Sequence, residues 1–182
     1  MNKAGIMAFA ATCAMLSPTL ASAHRLDEYL QATTISLARD HITLHLRLTP
    51  GVQVAQTVIQ QMDSNEDGNL SVAEQQAYVS WITQTLLLSL NGRTGHLAVE
   101  SAMFPSIPAM KTGAGVIDLQ FRVPAHLQSG TYHLTYTNKG MGPDTAWLVN
   151  CLVPKDASIR VIQQKRSENQ SFYALDFTVR PS

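Results

Sequence analysis

Residues 42–74 read ITLHLRLTPGVQVAQTVIQQMDSNEDGNLSVAE, and the periodicity of this stretch changes along its length. In its first part Ile42, Leu44, Leu46 and Leu48 alternate with Thr43, His45 and Arg47. Period two puts one set of side chains on a buried face and the other on a wet face of a β-strand. The alternation stops at Thr49, Pro50 and Gly51. Beyond it Val54, Ala55, Val58, Ile59 and Met62 recur at the three-and-four spacing of a helix stripe. A second helix is expected at about Val72 to Leu86, with Tyr78, Val79, Ile82 and Leu86 on its apolar side. Between the two helices lies a loop crowded with oxygen-bearing side chains.

On the N-terminal side, Tyr29 to Leu48 reads as two strands around a turn at Arg39 and Asp40. On the C-terminal side, strand chemistry resumes beyond Leu87 with a hairpin turning at Asn91 and Gly92, residues that tolerate positive backbone angles. Ile117, Leu119, Phe121 and Val123 then alternate with Asp118, Gln120 and Arg122, and Tyr132, Leu134 and Tyr136 with polar neighbours. Trp147 to Val153 is a short apolar run, Ile159 and Val161 begin another strand, and Tyr173, Leu175, Phe177 and Val179 line the last, after a polar turn at Ser167 to Gln170. Many short strands at this spacing predict a mainly β fold: an antiparallel β-sandwich with one helix-loop-helix inserted between its second and third strands, at about residues 52–88.

The loop Asp63, Ser64, Asn65, Glu66, Asp67, Gly68, Asn69, Leu70, Ser71, Val72, Ala73, Glu74 fills every defining position of the EF-hand pattern D-x-[DN]-x-[DN]-G-x5-E. A hard cation such as calcium takes six to eight oxygen ligands. Asp63, Asn65 and Asp67 offer side-chain oxygens, Asn69 its carbonyl, Ser71 a water-mediated contact and Glu74 two oxygens together. Gly68 stands where the backbone must turn sharply, and Leu70 where an apolar side chain can anchor the loop. Ser71 and Glu74 also spell a helix capping box, which needs no metal. That reading explains two residues of the loop, whereas the ion explains the whole pattern. Three charged ligands predict a dissociation constant between roughly 10⁻⁶ and 10⁻³ M, with magnesium a poor competitor. The sequence holds no second EF-hand loop, so Leu70 must lean on the sandwich or on another chain.

The N-terminus has a charge at Lys3, an apolar stretch from Ala4 to Leu16, Pro18, and the small triplet Ala21, Ser22, Ala23. This is the layout of a secretory signal peptide. The apolar stretch falls short of the ~20 residues that cross a bilayer. Residues 1–23 are therefore expected to be removed, leaving residues 24–182 as one periplasmic or secreted domain with no membrane span. The chain has 13 basic and 13 acidic residues, so no strong field exists to hold nucleic acid or an anionic membrane. Cys151 alone survives cleavage, which rules out an internal disulfide and favours a buried, inert thiol.

Cleavage after Ala23 would expose His24 with a free amine beside its imidazole, a chelating pair suited to copper or nickel. His41, His45, His96, His126 and His133 are scattered, and His45 and His133 fall on wet strand faces. Met103 and Met110 flank a Pro-containing loop, where packing explains them. Tyr132, Tyr136, Trp147, Tyr173 and Phe177 stand at strand spacing, as core residues do. HExxH, GxSxG and Gly-rich phosphate loops are absent, and no enzyme is expected.

Ala23 to Ala32 (AHRLDEYLQA), Leu46 to Val52 (LRLTPGV) and the loop DSNEDGNLSVAE together resemble the extracytoplasmic N-terminal domain of the long HupE/UreJ-like membrane proteins, relatives of nickel and cobalt permeases. The similarity covers most of residues 23–153. In that family a soluble domain with an EF-hand-like loop precedes several membrane helices, which this chain lacks after its signal. The resemblance implies a free-standing partner rather than a transporter. Two functions follow as expectations: an exported single-EF-hand protein whose calcium orders a binding or accessory module, or a copper, nickel or cobalt accessory protein that presents His24 beside a membrane transporter.

Overall fold

The computed structural model describes residues 27–140 and 142–181. Residues 1–23, expected to be a signal peptide, and His24 lie outside them. Strands β1 (Tyr29–Leu37) and β2 (His41–Pro50) form a hairpin in which Leu37 faces Ile42. Helices α1 (Ala55–Gln60) and α2 (Val72–Thr85) follow, then strands β3 (Leu86–Leu90), β4 (Arg93–Thr94) and β5 (Ala98–Met103). A short helix α3 (Ile107–Lys111) precedes β6 (Ile117–Pro124), β7 (Gly130–Asn138), β8 (Thr145–Cys151), β9 (Ile159–Arg166) and β10 (Phe172–Val179).

Among the described residues these strands make two sheets of five, ordered β5-β6-β2-β1-β8 and β4-β3-β7-β10-β9. The fold is thus mainly β with a helix-loop-helix between β2 and β3, at the place the sequence predicts. The inward residues are those of the alternating runs. Leu44 stands opposite Phe121 and Leu46 opposite Leu119, all fully buried, with Leu134, Leu175 and Phe177 as buried counterparts in the other sheet. Burial of each such side chain contributes about 1.5–3 kcal/mol. The β3–β4 turn uses Asn91 and Gly92 at φ 50° and 77°, the left-handed pair a two-residue hairpin requires.

Three features depart from the sequence reading. β8 runs parallel to β1, with Tyr29 beside Thr145 and Ile35 beside Cys151, so the sandwich is antiparallel except for this pair. Alternation has the same period in either direction and carries no information on polarity. Residues 107–111 form α3 rather than a loop, with Ser106 accepting from the Ala109 N–H and with Ile107 and Met110 buried. Finally, Trp147 is only half-buried, while Tyr132 is half-buried and stacked on Phe177 at 5.3 Å. Cys151 is buried as expected, and burial pushes its thiol up to about 11, where it stays protonated and unreactive.

The helical hairpin is also the crossover from one sheet to the other. α2 passes without a linker into β3, its C-cap Leu86 already extended at φ −96° and ψ 135°. A polar strip joins the layers beneath it: Asn138 donates to Gln31 (2.8 Å), and the hydroxyls of Thr33 and Tyr136 are 2.8 Å apart. At one end of this strip the Tyr78 hydroxyl of α2 is hydrogen-bonded to that of Tyr29 on β1. Both rings are buried, and burial pushes the Tyr78 hydroxyl up to about 12. Either single Tyr→Phe change strands the remaining hydroxyl in an apolar setting. Denaturant unfolding is expected to show a loss of about 1–3 kcal/mol for Tyr29→Phe or Tyr78→Phe, and a much smaller loss for the double variant.

Candidate metal centre

The loop Asp63–Glu74 is held at both ends by helix chemistry. At its start the N–H groups of Met62 and Asp63 both donate to the Ile59 carbonyl, closing α1 at 2.9 and 2.8 Å. At its end Ser71 caps α2. Leu70 is partly buried against the hydrophobic core of the same chain, which gives a lone loop the support a second EF-hand would otherwise supply. α3 packs on α1 from the other side.

Within the loop Asp63, Asn65, Asp67 and Asn69 turn their side chains back on the backbone. Asp63 is buried, and its carboxylate accepts from the N–H of Asp67 (3.1 Å) and of Gly68 (2.9 Å). Asn65 Oδ1 also accepts from the Asp67 N–H at 3.1 Å, and Asp67 Oδ1 accepts from the Asn69 N–H at 2.8 Å. These bonds fold the chain around its own carboxylates. The tight path needs left-handed backbone at Glu66 (φ 58°) and Gly68 (φ 79°). Glycine adopts that region freely, and a side chain added at Gly68 would meet nothing within 4 Å, so the requirement there is conformational and not steric.

Glu74 does two things at once. Its Oε1 accepts from the Ser64 N–H (2.8 Å), the Ser64 hydroxyl (3.0 Å) and the Asn65 N–H (3.4 Å), tying the first residues of the loop to α2. Its Oε2 accepts from the Ser71 N–H (2.9 Å) and hydroxyl (2.7 Å), completing the capping box. The side chain is 8% exposed. The Ser71 hydroxyl, then the Ser71 and Ser64 backbone and side-chain donors, hold its carboxyl at about 2, below the ordinary 4.5. Folding therefore favours the ionised form: the stability this group contributes is complete above pH about 4.5 and is lost as pH falls toward about 2. Melting curves in chelator should show this acid loss, and Glu74→Gln should flatten it over the same window. An equal acid slope in both proteins would remove Glu74 as its source.

The donor set suits calcium. It consists of carboxylate, amide and hydroxyl oxygens, the loop has no histidine or cysteine, and the carboxyl side chains of Asp63 and Glu74 are buried. Asp63, Asn65, Asp67 and Asn69 are drawn into one hydrogen-bonded turn. Glu74 faces Ser64 and Ser71, and Ser71 serves as the helix cap. Among the described residues no three histidine, cysteine, aspartate or glutamate side chains converge as a metal cage. The second role of Glu74, as a tie to Ser64, has no signature in the sequence.

Among the described residues the histidines do not converge. His45 Nε2 lies 2.7 Å from Asp118, His133 Nδ1 2.6 Å from Asp176 and His41 Nδ1 2.7 Å from its neighbour Asp40, with His45 and His133 on different sheets. Each ring has a carboxylate partner on a wet strand face or turn. No protein-family model, curated protein or solved structure matches the chain.

Proposed function

We propose that this chain is an exported calcium-binding protein in which one ion, held by Asp63, Asn65, Asp67, the Asn69 carbonyl and Glu74, fastens the α1–α2 hairpin across the two sheets of a binding or accessory module. The observation that carries the reading is a twelve-residue, all-oxygen loop set between two helices, with Gly68 in the left-handed region and Asp63 bonded to its N–H. Glu74 is ionised at all ordinary pH. An ion in the loop would draw on the two oxygens of Glu74 and so would join the start of the loop to α2. Because that hairpin is the crossover between sheets, the ion stabilises a connection and performs no chemistry. The signal-peptide layout supports a periplasmic or secreted location, where calcium is plentiful. The resemblance to the extracytoplasmic domain of HupE/UreJ-like proteins supports service beside a membrane protein.

Calorimetric titration of the processed protein tests this. One site is expected, with a dissociation constant between roughly 10⁻⁶ and 10⁻³ M and far weaker binding of magnesium. Absence of saturable calcium binding at millimolar concentration would sink the proposal.

A further inference from the structure

Among the described residues strand β5 is the end of its sheet and is paired along one side only, to β6. Its Val99 stands opposite Phe121 and its Ala102 opposite Leu119, and the register shifts between Val99 and Ser101, a bulge at Glu100 that brings these two residues, three apart, to one face. Directly opposed residues of antiparallel strands share a face, so Val99 and Ala102 point to the inner layer with these two buried neighbours. Yet Val99 is 47% exposed, and Ala102 is exposed as well. The layer above them is α2 instead of a strand, and a groove of about 590 Å³ remains between. Its apolar lining comes from Val72, Val79, Val99, Ala102 and Phe104. The rest of α2's wall is glutamine, serine and threonine, and among the described residues no ionisable side chain lines the groove. The nearest charge on the strand, Glu100, lies toward Arg122, 3.8 Å away and outside the groove.

We infer that this groove takes an extended, uncharged segment of a second polypeptide, added as a strand to the free edge of β5 with its apolar side chains beneath α2. The unpaired edge supplies a row of backbone donors and acceptors, which a strand satisfies and a globular surface does not. The groove lies along the inner face of β5, and an added strand turns every second side chain to that face, so it selects a segment with apolar residues at alternate positions. A charge carried into it would be buried without a partner, and this excludes acidic and basic segments. The inference stands on the sheet edge and is independent of calcium.

The probe is a capped, fluorescein-labelled peptide of about seven alternating valines and threonines, long enough to span β5 at ~3.3 Å per residue, with a companion carrying lysine for valine. Titrated into the processed protein, the valine peptide should bind saturably and slow amide exchange across residues 98–103, and the lysine peptide should not bind. Val99→Lys and Ala102→Lys should each weaken binding by about tenfold or more, as an unpaired buried charge does. Both sites are exposed, so melting temperatures should hold. Absence of saturable binding up to about 1 mM, or equal binding by the Val99→Lys protein, overturns the inference. So does sedimentation showing a wild-type dimer that Val99→Lys dissociates, since the occupant would then be a second copy of the chain.

Discussion

Raising free calcium to about a hundred times the dissociation constant is expected to stabilise the protein by about 2.7 kcal/mol, and Glu74→Gln to abolish that gain. For a domain of this size the gain corresponds to a rise of about 5 to 10 °C in melting temperature. The glutamine keeps one oxygen that can accept from Ser71, so the capping box survives, but its amide group cannot accept from Ser64, and the variant should melt modestly below wild type in chelator. What it loses is the charge and the paired oxygens that a calcium ion takes from this position. Glu74→Ala removes the cap, the tie to Ser64 and the ligand together, and should melt lower in both buffers. Calcium-dependent melting of Glu74→Gln at the wild-type midpoint shift would show that Glu74 is no ligand. Equal losses of Glu74→Gln in calcium and in chelator would assign it to the cap alone.

The second large effect belongs to the core beneath the loop. Ile82 is 1% exposed and sits on the face of α2 that closes the sandwich, three residues before the helix ends at Thr85 and becomes β3. Truncation to alanine removes apolar contact and leaves a cavity that a helix fixed to a strand cannot collapse. Urea unfolding of Ile82→Ala is expected to show a loss of about 2–5 kcal/mol in calcium and in chelator alike. The calcium increment should persist, because every proposed ligand remains. A loss below about 1 kcal/mol would mean that the site relaxes freely and that α2 is not part of the core.

These two effects differ in how they could be read before folding. The proposed calcium donors follow a local rule: a hard ion needs oxygens at fixed steps around a turn, and Asp63, Asn65, Asp67 and Glu74 spell those steps in order. Ile82 was legible as one member of a helical stripe with Tyr78, Val79 and Leu86, all of them buried. Gln31 and Thr33 were not. They share the inward face of β1 with Tyr29, Ile35 and Leu37, but polar side chains register as core only once Asn138 and Tyr136 arrive from the other sheet as partners. α3 escaped for a related reason: its apolar Ile107 and Met110 are too few to establish a period, and its docking against α1 makes the helix.

The sequence by itself determined the alternating strands, the helical pair at their centre, the left-handed turn at Gly68 and the oxygen-rich loop, because each is written in neighbours a few residues apart. Only the tertiary structure decided that β8 runs parallel to β1, that the hairpin bridges the two sheets, that Glu74 reaches back to Ser64, and that Val99 and Ala102 lie under an unfilled groove. Such features depend on residues far apart along the chain meeting in space. The burial and hydrogen bonding that fix them exist only after the two layers close.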